Sequence, residues 1–185
     1  RTHFGHMSDP SVVNVVGGGS IGQEVDLSQA FQDFPRGQLR YDPSSFAALV
    51  IQYEAPKATI MLYSSGKYSL AGAQSIDDAE KASQQFVSDM EQMIQSNLLS
   101  HTFEVRYLVA TADLHSQIEL NEAMIQIGIE ETEYEPEQFP GLFYRPSEKQ
   151  WLYSIFSSGK LVINGCQSMR ELQQAELHIK NELEF

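Results

Sequence analysis

The first candidate for chemistry is a glycine-rich loop near the start of the chain. Gly17, Gly19 and Gly22 have the spacing of a dinucleotide-binding turn and follow a β-branched run. A pyrophosphate would need a helix N-terminus directly behind this loop, but the helical pattern begins only near Asp26. We therefore interpret the loop as a strand-to-helix connection, with a dinucleotide site as the weaker alternative.

A second candidate is the tetrapeptide Ser-Ser-Gly-Lys, which occurs at residues 64–67 and again at 157–160. It lacks the upstream glycine and the following Ser or Thr of a nucleotide-binding loop. Its glycine instead provides the positive φ that a tight hairpin turn requires. The pattern predicts two β-hairpins, each of which presents a lysine.

The remaining reactive residue types form no catalytic arrangement. His101, His115 and His178 are scattered without metal-ligand spacing and are interpreted as lone surface histidines. The single cysteine, Cys166, excludes an internal disulfide framework and fits a half-buried structural thiol. The acidic run over residues 130–137 is interpreted as solvated, with a partner-facing patch as the alternative. The sequence therefore predicts no enzyme, no cofactor and no metal site.

These loops belong to a unit that the chain carries twice. A constant offset of 93 positions aligns YDPSSF with YEPEQF, SSGKYSLAGAQS with SSGKLVINGCQS, and residues 12–16 with 105–109. Such self-similarity indicates duplication of one supersecondary unit. Two copies are too few for a solenoid and favour a pseudo-two-fold pair that shares one sheet.

Each copy has the order strand, helix, antiparallel strands, helix, which predicts an α+β fold. A short helix follows Asp26 in the first copy and begins near Leu120 in the second. Three strands are predicted in each copy, at 46–53, 59–63 and 68–71 and at 142–145, 151–156 and 161–164. A longer helix begins behind Ser75 and Ser168, each followed by an acidic residue at capping-box spacing. We expect the two repeats to span residues 12–98 and 99–185.

One face of the predicted sheet has an unusual composition. Strand alternation puts Val13, Val15 and Leu70 on the face toward the helices. The other face is small, apolar or amide-bearing and nearly free of charge; it contains Asn14, Val16, Gly18, Ser69, Ala71, Tyr107, Val109, Thr111, Val162 and Asn164. A solvent-facing antiparallel sheet usually carries polar residues there. The composition predicts a docking surface, with a second core face covered by another element as the alternative.

The overall charge opposes a generic nucleic-acid binder. The formal net charge is −13, whereas nucleic-acid-binding domains usually carry a basic footprint. DNA binding would require the acidic residues to be segregated from the contact face, or a host with a very salty cytoplasm. No apolar run approaches the length of a membrane span and no secretory signal opens the chain. Residues 1–11 are interpreted as a tag remnant, over 1–7, and a polar lead-in.

The duplicated motifs resemble those of the TATA-binding protein family in its archaeal form. The resemblance runs from about Val12 to the C-terminus and includes YDPSSF, YEPEQFPGLFYR, both SSGK hairpins, and the AGAQS and NGCQS segments. It implies a saddle of two pseudo-symmetric repeats, with one curved ten-stranded antiparallel sheet and four helices on its convex side. It also implies a general transcription initiation factor that binds the minor groove of A/T-rich, TATA-type promoter DNA, kinks it with aromatic wedges and recruits transcription factor B.

The resemblance assigns roles to matching positions. The wedges are Phe46, Tyr63, Phe139 and Phe156. The minor-groove floor is Asn14, Val16, Ala71, Tyr107, Val109, Val162 and Asn164. The phosphate contacts are Ser65, Lys67, Arg145, Ser158 and Lys160, and the contact with transcription factor B is Glu135, Glu137 and Gln138. RNA polymerase is an indirect partner, a homodimer off DNA is left open, and the expected location is cytoplasmic and nucleoid-associated in an archaeon or nuclear in a eukaryote.

Several residues on the expected DNA face depart from the family pattern. Tyr107 replaces the second of two central asparagines, and Gln52 stands where Arg is usual. Ala71 and Asn164 stand where Thr is usual, and Tyr63 adds a hydroxyl to a wedge that is normally Phe. These departures leave open a divergent interaction module that binds transcription proteins with weak or no TATA recognition.

Overall fold

The computed structural model describes residues 10–185; the tag remnant predicted at residues 1–7 lies outside them. The elements in chain order are β1 (Ser11–Ser20), α1 (Leu27–Asp33), β2 (Gln38–Arg40), β3 (Leu49–Glu54), β4 (Lys57–Leu62), β5 (Lys67–Ala73), α2 (Ile76–Ile94), β6 (Thr102–Asp113), α3 (Leu120–Ile127), β7 (Thr132–Glu133), β8 (Leu142–Tyr144), β9 (Leu152–Ile155), β10 (Lys160–Cys166) and α4 (Met169–Glu182). Over residues 10–185, every helix is too short or too polar to cross a membrane.

The chain divides into two compact units, which we call the first unit (Val13–Arg106) and the second unit (Tyr107–Phe185 together with residues 10–12). The strand order in the first unit is β2-β3-β4-β5-β1, and in the second unit it is β6-β10-β9-β8-β7. Neighbouring strands within each unit pair in antiparallel fashion. The two copies of the sequence therefore give the same strand order.

Helices α1, α2 and α4 begin at the capping residues that the sequence predicts. The Asp26 carboxylate accepts from the Gln29 N–H at 3.1 Å at the start of α1. The Ser75 hydroxyl accepts from the Asp78 N–H at 3.0 Å, and the Ser168 hydroxyl accepts from the Glu171 N–H at 3.1 Å. Each bond satisfies a backbone donor that has no partner inside its helix.

Only one face of each unit's strands is packed into the core. In the first unit, Leu70 on β5 is fully buried, whereas its neighbours Ser69 and Ala71 are half-buried. The ring of Tyr68 lies 4.7 Å from Phe86 of α2, so α2 covers the face that contains Leu70. This arrangement confirms the predicted alternation along β5.

The second unit has the same two-sided arrangement. Leu161 and Ile163 on β10 are buried, and Val162 and Asn164 are half-buried. Among the described residues, no helix occupies the second face as a core layer, so the alternative of a second core is wrong.

Two residues that the sequence places at or near the surface belong to this core. His178 of α4 is half-buried, and its Nε2 lies 2.9 Å from the Tyr144 hydroxyl; the prediction of a lone surface histidine is wrong because aromatic side chains surround the ring. Cys166 is fully buried, and burial raises the pKa of its thiol to about 12. It is a structural thiol, as predicted, but it is not half-exposed.

Two strands were not predicted from the sequence, and others are shorter than predicted. β2 and β7 are edge strands of three and two residues, too short to give an alternation pattern. Phe46 precedes β3 in a turn, and Phe156 follows β9, so neither aromatic residue lies in the strand predicted for it. The predicted wedges therefore stand on turns beside the strands.

Candidate nucleic-acid interface

Each Ser-Ser-Gly-Lys turn joins a predicted wedge to a lysine through the backbone. The Tyr63 N–H donates to the Lys67 carbonyl at 2.9 Å, and the Gly66 N–H donates back to the Tyr63 carbonyl at 2.9 Å. In the second unit, the Phe156 N–H donates to the Lys160 carbonyl at 3.0 Å, and the Gly159 N–H donates to the Phe156 carbonyl at 2.9 Å. An aromatic side chain and a cation are thus held at the same spacing in both units.

The loop that follows the first strand braces this turn. The Ile21 N–H donates to the Gly66 carbonyl, and the Val25 N–H donates to the Ser64 carbonyl, both at 2.9 Å. Gly66 has φ +88°, and a Cβ on it would lie 2.0 Å from the Gln23 carbonyl oxygen. Position 66 therefore requires glycine for two reasons, its positive φ and the lack of room for a Cβ. The glycine-rich loop supports the turn structurally.

The second unit repeats this brace without a glycine-rich loop. The Leu114 N–H donates to the Gly159 carbonyl and the Ile118 N–H donates to the Ser157 carbonyl, both at 2.9 Å. Gly159 has φ +91°, and its added Cβ would lie 2.2 Å from the Ser116 oxygen. The function of the loop therefore does not depend on the dinucleotide-like glycine spacing.

A five-residue turn carries the other wedge in each unit. The Phe46 N–H donates to the Asp42 carbonyl at 2.9 Å, and the Phe139 N–H donates to the Glu135 carbonyl at 3.0 Å. The Asp42 carboxylate also accepts hydrogen bonds from Ser44 and Ser45, which lower the pKa of that carboxyl below its usual value. The Glu135 carboxylate has no such bond within residues 10–185 and stays exposed.

The four predicted wedges form two aromatic pairs. The rings of Phe46 and Tyr63 are 6.4 Å apart, and those of Phe139 and Phe156 are 5.8 Å apart, each pair edge-to-face. Phe46 is 45% exposed and the other three are half-buried. Each unit therefore presents two neighbouring aromatic edges outside its core.

Sequence reasoning missed two residues that support the second pair. Phe143 stacks on Phe139 with ring centroids 4.8 Å apart. A Cβ on Gly141 would lie 2.8 Å from the Phe139 ring and 3.0 Å from the Phe156 ring. A comparison of the two copies could have pointed to both residues, because the first copy has Val50 and Ala48 at the corresponding positions.

The predicted floor residues lie on the face that the helices leave open. In the first unit, one row of directly opposed residues is Val50, Met61, Ser69 and Gly18, and a second is Gln52, Thr59 and Ala71. In the second unit the rows are Phe143, Ser154, Val162 and Thr111, and Leu152, Asn164 and Val109. Asn14, Val16, Ala71, Val109, Val162 and Asn164 are half-buried, and Tyr107 is 36% exposed.

A β-bulge marks the same position in both units but is stabilised in only one. Gly72 and Gly165, with φ of +87° and +104°, are the extra residues in β5 and β10. The Gly72 N–H donates to the Asn14 Oδ1 at 2.7 Å. This bond occupies the acceptor of the amide and leaves its Nδ2 donors for another partner. Tyr107, the counterpart of Asn14, has no amide with which to make the equivalent bond.

The open face carries one charged side chain that the sequence analysis did not place there, Arg106. A Cβ on Gly18 would lie 2.5 Å from Nη2 of Arg106, so the guanidinium covers Gly18. Gly18 opposes Ser69, between the core residues Tyr68 and Leu70, which places Arg106 on the open face. Val13, expected on the core face, is instead 45% exposed.

Each unit has an open groove along these residues. In the second unit the groove measures about 900 Å³, and its lining includes Phe156, Ser158, Lys160 and Val162. In the first unit a groove of about 430 Å³ is lined by Phe46, Gln52, Thr59 and Met61 among others. The groove of the second unit thus brings predicted wedge, phosphate and floor residues together, whereas the groove of the first unit contains only the wedge Phe46 from the predicted set. Each also has an acidic residue in its lining, Asp113 and Asp42 respectively.

The residues predicted to contact phosphates and protein partners are exposed. Ser65, Lys67, Arg145, Ser158 and Lys160 all lie at the surface. Glu135, Glu137 and Gln138 lie at the surface on the turn before Phe139. Within the described part of the chain, no group of acidic, histidine or cysteine side chains is arranged to hold a metal ion.

Comparison with known proteins places the chain in one class, the duplicated DNA-binding transcription factors. The family described as "Transcription factor TFIID (or TATA-binding protein, TBP)" matches residues 9–93 and again residues 102–184, and the chain belongs to this family. It is a family of transcription factors and not of enzymes.

Archaeal members of the family are the similar proteins that we compared. TATA-box-binding protein B of Halobacterium salinarum is 36% identical over 172 residues, which are 93% of this chain and 91% of that protein. The TATA-box-binding protein of Archaeoglobus fulgidus is 36% identical over 172 residues, 93% of each. The structure of Methanococcus jannaschii TBP has a TM-score of 0.83 at 31% identity and covers 96% of this chain and 99% of that chain. The predicted fold class is therefore confirmed.

The hydrogen bond from Gly72 to Asn14 leads to a stability prediction. Asn14→Ala should lower the free energy of unfolding by about 1 kcal/mol, because the Gly72 N–H loses its acceptor. Asn14→Asp keeps an acceptor oxygen and serves as the matched control, with a smaller loss. Urea unfolding monitors stability, and hydrogen exchange should show a faster Gly72 amide in Asn14→Ala alone. Equal stability of Asn14→Ala and the unmodified protein would contradict the assignment.

Proposed function

We propose that this protein is a general transcription initiation factor that binds the minor groove of A/T-rich promoter DNA through its open sheet face and recruits transcription factor B. The observation that supports this proposal most strongly is the aromatic pair in each unit, held beside a lysine by the Ser-Ser-Gly-Lys turn. The family membership and the names of the archaeal relatives support the same function.

The aromatic pairs suit a role as wedges between base steps. Apolar side chains inserted from the minor groove replace lost stacking at a kinked step, and the TATA-binding protein is itself the standard example of this mode. Phe46 and Phe139 are partly exposed on turns, and each is supported by a second ring. The rings therefore lie outside the core, and their edges are available to contact DNA.

The predicted minor-groove floor on the open sheet face suits the chemistry of A·T pairs. These pairs present only acceptors in the minor groove, whereas G·C pairs add a donor. Val16, Val109 and Val162 offer apolar surface, and the Asn14 Nδ2 group is available as a donor because its oxygen is bound to Gly72. Lys160 lines the groove of the second unit, and Lys67 holds the equivalent exposed position in the first unit; from there both could reach phosphates.

The turn before Phe139 is our candidate contact for transcription factor B. Glu135, Glu137 and Gln138 are exposed, and the turn is closed by backbone bonds, so their side chains are not needed to form it. An acidic patch of this kind suits a basic partner surface. Binding of transcription factor B to the protein–DNA complex, and its loss in Glu135→Arg, would support this assignment.

The wedge assignment predicts the effect of truncating the aromatic rings. Phe139→Ala and Phe156→Ala should each cost at least about 1 kcal/mol of DNA binding, on the scale of base–aromatic stacking; this corresponds to roughly a fivefold or larger rise in Kd. Fluorescence anisotropy with an A/T-rich duplex measures the change. Phe31→Ala removes an exposed ring from α1 and is the matched control, which should bind normally.

The same titration separates the two functions that the sequence leaves open. If the unmodified protein binds no A/T-rich duplex at any salt concentration but still associates with transcription factor B, the protein is an interaction module. If both wedge variants bind as well as Phe31→Ala, the aromatic pairs do not act as wedges.

The net charge of −13 predicts an unusual salt dependence. Repulsion between an acidic protein and DNA weakens as the Debye length falls from about 10 Å at 0.1 M to about 3 Å at 1 M salt. We therefore expect KCl at about 1 M to preserve or increase the affinity. Basic DNA-binding proteins instead lose affinity steeply through counterion release. The titration is repeated across this salt range, and a steep fall in affinity would show that phosphate contacts outweigh the repulsion.

A further inference from the structure

Tyr63 differs from the other three predicted wedges because its ring carries a polar group. It follows Leu62, which is buried in the core, and it begins the backbone-bonded turn of the first unit. Its half-buried ring lies 6.4 Å from the ring of Phe46 in an edge-to-face arrangement, whereas Phe46 is 45% exposed. Phe46 is therefore the more exposed ring of the pair, and Tyr63 supports it from the side.

The hydroxyl of Tyr63 has no partner among the described residues, unlike the hydroxyls of tyrosines in the core. The Tyr53 hydroxyl donates to the Asp89 carboxylate at 2.7 Å, and the Tyr68 hydroxyl lies 2.8 Å from the Ser83 Oγ. Every buried side-chain oxygen or nitrogen in residues 10–185 has a hydrogen-bond partner, so the unpartnered hydroxyl of Tyr63 must reach the protein surface. Its one donor and two acceptor sites are therefore available to a ligand.

The duplication provides the same arrangement without a hydroxyl. At the offset of 93 positions, Tyr63 corresponds to Phe156, which makes the same backbone bonds and the same edge-to-face contact with Phe139. Phe143 stacks on Phe139, so the wedge of the second unit is hydrocarbon throughout. Because the fold accepts Phe at this position, the hydroxyl of Tyr63 is not needed to form the turn or the aromatic pair.

We infer that Tyr63 is a specificity-determining residue whose hydroxyl accepts a hydrogen bond from the guanine N2 amino group and so allows a G·C pair at one end of the bound site. This inference rests on the proposed function. Phe46 is the ring that enters the kinked step, and Tyr63 stays at the mouth of the minor groove, where its hydroxyl meets the base edges. The hydrocarbon wedge of the second unit has no acceptor and restricts its own end of the site to A·T pairs.

The minor-groove edges of the base pairs explain this difference between the two wedges. A·T pairs present only acceptors there, whereas a G·C pair adds the N2 amino donor. A hydrocarbon ring removes that amino group from water without giving it an acceptor, and a buried donor without a partner is costly. A hydroxyl suits both pairs, because it donates to adenine N3 or thymine O2 and accepts from guanine N2. The contact is compatible with a kink, since unstacking from the minor groove opens these edges to the ring.

Inosine provides the test of this contact, because its base is guanine without the N2 amino group. Two A/T-rich duplexes carry either G·C or inosine·C pairs at both terminal steps, so that each unit meets one substituted pair in either direction of binding. The ratio of the Kd for the G·C duplex to the Kd for the inosine·C duplex isolates the cost of the amino group. Fluorescence anisotropy measures both Kd values at a salt concentration where the unmodified protein binds.

Reciprocal substitutions exchange the wedges of the two units. Tyr63→Phe removes the hydroxyl from the first unit, and Phe156→Tyr adds one to the second. Tyr41→Phe is the matched control, because Tyr41 is also half-buried, its hydroxyl has no hydrogen bond within residues 10–185, and its ring contacts Phe31 outside the predicted wedges.

The expected ratios follow from the number of ends that lack an acceptor, since costs at well-separated base pairs are roughly additive. The unmodified protein and Tyr41→Phe should show the cost of one end, a ratio of about fivefold or more. Tyr63→Phe should show the cost of both ends, with a ratio about fivefold higher still. Phe156→Tyr should show neither cost, with a ratio close to one.

Three results would overturn the inference while leaving the proposed function intact. Two are an unchanged ratio in Tyr63→Phe and an unchanged ratio in Phe156→Tyr. The third is an equal loss of affinity for both duplexes in Tyr63→Phe, because the hydroxyl would then contact a group other than guanine N2. If the unmodified protein binds neither these duplexes nor one with only A·T pairs at any salt concentration, the proposed function fails, and the inference fails with it.

Discussion

The pair of backbone hydrogen bonds that closes each Ser-Ser-Gly-Lys turn fixes an aromatic residue and a lysine at one spacing, and much of each unit keeps that turn in place. The strand-to-helix loop donates two further bonds to the turn, and glycine is the only residue that fits between them. The strands on either side of the turn are anchored by core residues such as Leu62 and Leu161. A rigid turn matters because a flexible aromatic side chain would lose conformational entropy on insertion into DNA.

The two copies have kept the scaffold and diverged on the open face. The brace, the bulge and the aromatic pair occur in both units. In contrast, the residue that corresponds to Asn14 in the other copy is Tyr107, and the residue that corresponds to Arg106 is Val13. The second unit adds Phe143 to its aromatic pair, where the first has Val50. Backbone geometry is thus conserved between the copies, while the side chains that would meet a ligand differ. This pattern is expected when a duplicated protein binds an asymmetric target.

The repeat and the strand alternation made most of this fold predictable from the sequence. Leu70 and Leu161 lie in the core and Ser69 and Val162 lie on the open face because the side-chain period of a strand is two. β2 and β7 were not predictable, since two or three residues carry no pattern. Arg106 was assigned no role because the alternation breaks near it in β6, and its position depends on a missing Cβ in a different strand. The stacking of Phe143 likewise depends on spatial neighbours that periodicity does not reveal.

The acidic surface and the nearly neutral open face make base unstacking the central physical claim. A protein with a net charge of −13 cannot rely on phosphate attraction alone, so wedge insertion and apolar contact must contribute much of the affinity. The most direct test is the fluorescence of 2-aminopurine placed at successive steps of an A/T-rich duplex, since unstacking relieves its quenching. The account predicts a rise at the two terminal steps of the bound site and little change between them. Uniform fluorescence across the site, at salt concentrations where the protein is bound, would contradict it.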